Sequence, residues 1–297
     1  KRQAKSDGVL IECVHFPTQK KIGGSILAVA ALVIATDMGF ASHAEYKLSE
    51  HIQETAQLEM TPYVAIGGKA YLSSFVTGKW SSVTSRIRDV EVPDFGLVSL
   101  EYGASNVKIP ASAVLSGNFP ESPTKQYFTK LSLDGVSLGN KLGLTDLSIQ
   151  SLKDSPPTGG WETEAIFEAT PAGWQGKTQV TAKLRIVSRD VVITPMEIIS
   201  APSSPTDSKS HIKPELSEAD TQHIMDTFAL TLRDSEIPMG MPATRVYVSG
   251  GSITIEGEQI LCTVSPTNFM PPTSQQDAEA SAQSTEKLPE KNCRVRR

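Results

Sequence analysis

The sequence YVAIGGKAYLSSFVTGKWSSVTSRIRDVEV, at residues 63–92, contains the pattern that decides the fold. Its first four residues are a β-favouring run that stops at Gly67 and Gly68. Apolar side chains then fall at positions i, i+1, i+4 and i+5, which is the spacing of one face of a short helix. These are Tyr71, Leu72, Phe75 and Val76. Gly78 occupies the position of a helix C-cap glycine, so a strand, a short helix and a second strand are predicted.

The second of these strands is predicted to be bent. Val83 and Ile87 share one phase of the two-residue alternation, whereas Val90 and Val92 share the other. A change of phase within one strand is typical of a β-bulge. We therefore expect a bulge or bend near residues 88–89.

The same stretch resembles a known protein family. The order of its elements is similar to that in the LmeA-like phospholipid-binding proteins of actinobacterial cell envelopes, and the matching residues are Ile66-Gly67-Gly68, Tyr71-Leu72, Phe75-Val76 and Thr77-Gly78. The sequence departs from the family at residues 69–71, where Lys-Ala-Tyr replaces the usual Gly-Phe-Pro-Phe wording. The N-terminal apolar segment and a closing hairpin near residues 237–264 also resemble the family, so the likeness covers most of residues 21–264.

This resemblance has implications for fold and function. It implies a lipid-holding fold related to the tubular lipid-binding (TULIP, BPI-like) proteins. It implies phospholipid as the ligand, with an inositol phospholipid as the first one to test, and contact with a membrane surface. It implies no catalytic residues and no cofactor.

The composition excludes some classes of protein. The chain has 297 residues and a formal net charge of −5, and a general nucleic-acid binder would carry a basic footprint instead. The three cysteines, Cys13, Cys262 and Cys293, have no metal-ligand spacing. Pairing of Cys262 with Cys293 stays open. The five histidines are scattered, and no nucleotide-binding or hydrolase motif is present, so we expect neither a metal site nor an enzyme.

The N-terminal segment has the order of an export signal. Residues 1–21 are polar and end in two lysines, and residues 22–36 are continuously apolar or small. Extended to Phe40, the apolar run spans ~28 Å as a helix but includes Asp37. Residues 22–40 are therefore either a signal-peptide h-region or a signal anchor, and residues 42–44 offer a cleavage site. The lysines place residues 1–21 in the cytoplasm and the rest on the periplasmic side, in the cell envelope.

The remaining chain predicts one lipid-binding domain at residues 44–264, followed by a disordered polar tail at residues 265–297. Amphipathic helices are expected at residues 44–59 and 217–234, with alternating strands between them. The predicted fold class is α+β, with a long, curved antiparallel sheet wrapped around these two helices.

The predicted function is binding of phospholipid in an apolar groove, with transfer or presentation of the lipid. The short helix is expected to line the opening, with Trp80 at an apolar–aqueous boundary and the second amphipathic helix across the cavity. The candidate lining residues are Leu48, Ile52, Tyr71, Leu72, Phe75, Val76, Trp80, Ile224, Phe228 and Leu232. The alternative is a non-catalytic scaffolding domain of the envelope, in which the same apolar faces close on each other.

Overall fold

Two antiparallel sheets and five helices make up the computed structural model, which describes residues 18–68, 71–152, 159–271 and 294–295. The helices are α1 (Thr18–Ala56), α2 (Tyr71–Thr77), α3 (Ala111–Ser116), α4 (Gly135–Leu142) and α5 (Glu218–Phe228). Single 3-10 turns follow at Asp234–Glu236 and Pro266–Phe269.

The first sheet carries most of the helices. Its strands are β1 (Tyr63–Gly67), β2 (Lys79–Val92), β3 (Gly96–Lys108), β4 (Ser122–Leu133), β11 (Arg245–Ser249) and β12 (Ser252–Val264), with the short β13 (Arg294–Val295) beside β12. They are arranged in the order β1-β2-β3-β4-β12-β11, and α1 packs against β1, α2 and α3.

The second sheet carries α5. Its strands are β5 (Ser148–Ser151), β6 (Glu162–Ala169), β7 (Thr178–Val187), β8 (Asp190–Pro202), β9 (Ser210–Ile212) and β10 (Leu230–Leu232). They are arranged in the order β10-β8-β7-β6-β5, with β9 beside β8. Strand β11 of the first sheet packs against β5, β6 and β7, and a single bridge joins Gly160 to Val246. The predicted α+β class, with a large curled antiparallel sheet and few helices, is confirmed at this level.

A ladder of alternating charges covers one face of the first sheet. Arg86, Glu101, Lys130, Glu256 and Arg245 lie directly opposite one another on five successive strands. The Arg86–Glu101 pair is 2.8 Å apart, and Lys130 lies 3.9 Å from the carboxylates on both sides. Cross-strand pairs of opposite charge stabilise a sheet. Since side chains alternate along a strand, the apolar residues of these strands point to the other face, where α1 lies.

Helix α1 is one continuous helix that contains residues 22–40, the expected signal or anchor segment, and most of the helix expected at residues 44–59, since it ends at Ala56. Its second half packs against the sheet through Ala44, Leu48, Ile52 and Ala56, each at most 7% exposed. No proline or glycine pair stands between residues 37 and 56, so nothing in the sequence interrupts the helix.

Helix α5 begins as predicted but ends earlier. The side chain of Ser217 accepts a hydrogen bond from the Asp220 amide at 3.1 Å, which is an N-cap interaction. The prediction that this helix extends to residue 234 is wrong, because residues 230–232 pair with β8 as strand β10. Leu232 therefore lies in a strand. Phe228 stacks on Phe167 of β6, with 6.5 Å between the ring centroids.

Two further features fix the second half of the chain. The Asp146 carboxylate accepts hydrogen bonds from the amide and the hydroxyl of Thr170, at 2.9 and 2.8 Å.

Residues 265–271 are ordered against the body, since the Phe269 ring is fully buried. This corrects the prediction of disorder from residue 265 onward, and residues 272–293 lie outside the described part. Cys262 is buried in β12, whereas Cys13 and Cys293 lie outside the described residues.

Candidate functional site

The strand–helix–bent strand unit forms as predicted. Strand β1 pairs with β2, and α2 lies between them in sequence. Gly78 has φ = 65°, and its amide donates to the Ser74 carbonyl at 2.8 Å, which closes α2. The register of β2 on β3 shifts between Ile87 and Val90, and Asp89 has φ = 56°. The predicted bulge is therefore confirmed.

Helix α2 lies against α1 at a place we call the α1–α2 junction, formed by Asp37, Phe40, Leu72, Phe75 and Val76. The Asp37 carboxylate accepts a hydrogen bond from the Leu72 amide at 2.6 Å. The rings of Phe40 and Phe75 are 5.7 Å apart. Leu72 and Phe75 are half-buried, whereas Val76 is 85% exposed. The junction thus presents apolar side chains to the surroundings of the protein.

The aromatic side chains beneath α2 are buried. Tyr71 and Trp80 are buried and meet edge to face, with 4.8 Å between ring centroids. The Trp80 indole donates to the Ile109 carbonyl at 3.0 Å. The expectation that Trp80 lies at an apolar–aqueous boundary is therefore wrong. Burial, with the nearby charges of Glu45 and Asp37, raises the pKa of the Tyr71 hydroxyl, for which the described residues offer no hydrogen-bond partner.

The structure separates the ten candidate lining residues. Leu48 and Ile52 pack from α1, and both are buried. Ile224, Phe228 and Leu232 are also buried, but they belong to elements of the second sheet, since α5 packs on β7 and β8. The expected arrangement of α2 and α5 on two walls of one cavity is thus absent from the described structure. Only Leu72, Phe75 and Val76 stay accessible in part.

A groove of about 350 Å³ lies at the end of α1 that is remote from the junction. We call it the Arg88 groove, and it is lined by Met60, Thr61, Pro62, Tyr63, Arg86, Ile87 and Arg88. Met60 and Tyr63 are 61% and 63% exposed. Arg86 is held by Glu101, whereas Arg88 has no ion-pair partner within the described ranges. The groove therefore combines an apolar surface with an available guanidinium.

The groove was not predicted from the sequence, although one signal was present. Arg86 and Arg88 are two residues apart on a strand, so both side chains lie on one face of β2. The partner across that strand could not be identified from the sequence. In the structure Tyr63 lies opposite Arg86.

Two other grooves have different chemistry. One of about 370 Å³ lies between α5 and β8, where Met196, Met225 and Leu216 accompany Lys213 and Glu197. Another of about 440 Å³ lies on α1 and carries the carboxylates of Glu50 and Glu54. Acidic side chains repel an anionic ligand, so of these three grooves the Arg88 groove matches an anionic ligand best. Across the described residues no group of three or more His, Cys, Asp or Glu could hold a metal ion.

Comparison with protein families gives a match over most of the chain. The model of the LmeA-like phospholipid-binding family matches residues 35–258, which is well over half of the chain. No curated protein and no solved structure matches it significantly.

Proposed function

The chain belongs to the LmeA-like phospholipid-binding family, and from this membership we propose that it binds an anionic phospholipid in the Arg88 groove as an exported protein of the cell envelope. The family match is the observation that carries the function. The groove is the observation from which we infer where the lipid binds. We propose that the protein acts by binding and not by catalysis, and that its fold is related to the TULIP (BPI-like) proteins.

The groove contains partners for both the phosphate group and the acyl chains of a phospholipid. A guanidinium matches the geometry of a phosphate and forms charge-assisted hydrogen bonds with it. The exposed side chains of Met60 and Tyr63 offer apolar surface to an acyl chain. Burial of an acyl chain contributes about 0.8 kcal/mol for each CH₂ that is removed from water, so contact with these side chains adds to the binding of the headgroup.

The position of the groove supports transfer or presentation of the lipid. Ala56 lies sixteen residues after Phe40 in α1, so the groove lies about 24 Å along α1 from the α1–α2 junction. A headgroup held there stands away from the apolar half of α1. Other envelope components could then reach it without entering the bilayer.

Photocrosslinking tests this proposal. The full chain is reconstituted in phosphatidylcholine nanodiscs that contain a phosphatidylinositol with a photoreactive acyl chain. We expect crosslinks on residues 60–63. Arg88→Gln should reduce them by about tenfold or more, since a hydrogen bond to a charged group contributes about 1.5–3 kcal/mol.

The matched control is Arg233→Gln, because Arg233 is an exposed arginine that follows β10 of the second sheet. It should leave the crosslinks on residues 60–63 unchanged. Equal crosslinking in the Arg88→Gln protein, or crosslinks confined to residues 27–40, would refute the assignment of the groove.

A scaffolding domain without bound lipid is the second candidate function. Seven of the ten residues expected to line a groove are at most 5% exposed, which favours closed, packed cores. Native mass spectrometry of the purified protein separates the two functions. A phospholipid adduct favours lipid binding, and a protein that stays lipid-free in a lipid-rich preparation favours the scaffold.

A further inference from the structure

The first half of α1 exposes a continuous apolar surface. The exposed large side chains between residues 27 and 40 are Leu27, Val29, Leu32, Val33, Ile34, Met38 and Phe40. Helix α1 is long and apolar enough to cross a membrane, and only 6% of its most apolar window is buried. This surface continues without a break to Phe75 of α2, which the Phe40 ring contacts.

We propose that α1 is retained as a membrane anchor and that α2 lies on the bilayer surface, with Leu72, Phe75 and Val76 facing the lipid. This inference does not depend on the Arg88 groove. It concerns the bilayer as a surface, whereas the proposed function concerns a single lipid held away from it.

The length of the helix places α2 at the membrane boundary. Residues 22–40 span ~28 Å as a helix, close to the ~30 Å of a hydrocarbon core. The contacts with α2 are made by Asp37 and Phe40, in the last turn of this span. A short helix held at that level lies where the hydrocarbon meets the headgroups.

The contacts at the junction argue against removal of the span. Cleavage between Ala44 and Glu45 would remove Ala44, which is fully buried against the body. It would also remove the carboxylate of Asp37 from the Leu72 amide and the Phe40 ring from Phe75. A signal peptide that is cut away would not be part of the packed structure that it leaves.

Asp37 has a physical reason to stand in an otherwise apolar run. The first amides of a helix have no partner within that helix, and a carboxylate satisfies one of them favourably. Asp37 supplies this partner from α1 to the Leu72 amide in the first turn of α2. The polar residue that interrupts the span therefore fastens α2 to it.

The bilayer is the occupant that the geometry favours. Val76 is 85% exposed on an element that is attached to the base of the apolar helix. Exposed apolar side chains at such a position enter the boundary between headgroups and acyl chains. A partner protein and a second copy of the chain are the competing occupants, and the test below distinguishes them.

The first measurement is the mass of the protein isolated from the membranes of its own host. The expected mature chain still contains residues 27–44. A mature chain that begins at Glu45 overturns the proposal.

The second measurement locates α2 relative to the lipid. The photoreactive residue p-benzoylphenylalanine is placed at Val76 of the full chain in phosphatidylcholine nanodiscs. The matched control carries it at Val136, another exposed valine, on α4. Helix α4 adjoins the far end of β2 and β3, and 14 residues of β2 span about 43 Å.

The crosslinking yield to lipid should be at least about fivefold higher at Val76 than at Val136, because only an interfacial position is surrounded by lipid. Similar yields at the two positions would overturn the proposal. So would crosslinks from Val76 to a second copy of the chain or to a co-reconstituted membrane protein in place of lipid.

Discussion

Replacement of Gly117 by alanine tests how closely α1 packs on the body. Gly117 follows α3 with φ = 71°, and a Cβ there would overlap the Lys47 carbonyl oxygen and lie 2.8 Å from the Leu48 amide nitrogen. Those atoms belong to the backbone of α1, so they cannot rotate away. Gly240 is the matched control, since it has φ = 69° and a Cβ built there has no atom within 4 Å other than those of its chain neighbours, among the described residues.

The two glycines separate conformational strain from crowding. A left-handed conformation costs a residue with a Cβ about 1–2 kcal/mol, and both Gly117→Ala and Gly240→Ala incur this cost. Crowding costs a further 1–3 kcal/mol or so, and only Gly117→Ala incurs it. We therefore expect Gly117→Ala to be destabilised by about 3 kcal/mol and Gly240→Ala by about 1 kcal/mol.

Thermal unfolding of the full chain in detergent micelles measures this difference, with the buried Trp80 and Trp174 as fluorescent reporters. At about 2–4 °C per kcal/mol, Tm should fall by about 6–12 °C for Gly117→Ala and about 2–4 °C for Gly240→Ala. Equal shifts would show that α1 does not pack on α3 at the observed distance. The attachment of α1 to the body through α3 would then lose its support.

Three further predictions concern the cores and the charges. Ile52→Ala should lower the unfolding free energy by about 2–5 kcal/mol, whereas Ile212→Ala, at a position that is 81% exposed, should change it by less than about 0.5 kcal/mol. Urea unfolding of both variants checks this, and similar effects would contradict the packing of α1. Arg245→Leu should cost about 3 kcal/mol because it leaves the Glu256 carboxylate, whose side chain is 8% exposed, without its closest cation; an unchanged urea midpoint would contradict the charge ladder. Burial raises the pKa of Asp146, but the two hydrogen bonds to its carboxylate offset this and set the pKa below its usual value, so its contribution to stability is present above the unfolded pKa and is lost as the pH falls through the folded pKa. Asp146→Asn should therefore lower Tm by about 3–6 °C at pH 7 and by less as the pH falls below the unfolded pKa, and a deficit that is independent of pH would contradict this assignment.

The sequence by itself determined the local elements of this protein. The spacing of Tyr71, Leu72, Phe75 and Val76 predicts α2, Gly78 predicts its end, and the phase change after Ile87 predicts the bulge. These features depend on local backbone conformation and on which face of an element is apolar. Both are set by residues that lie a few positions apart in the sequence. The order of such elements was also enough for the family to be identified.

Only the tertiary structure decided which elements meet. Leu232 has the spacing of a helical residue, yet it lies in β10, because the pairing with β8 overrides the local pattern. Phe269 is buried although the polar stretch of the chain begins only a few residues after it, at Thr273. The ten candidate residues belong to elements of two different sheets and to the helices packed on them. The Arg88 groove combines the segment after α1 with β2. Each of these outcomes depends on contacts between residues far apart in the chain, and local periodicity carries no information about such contacts.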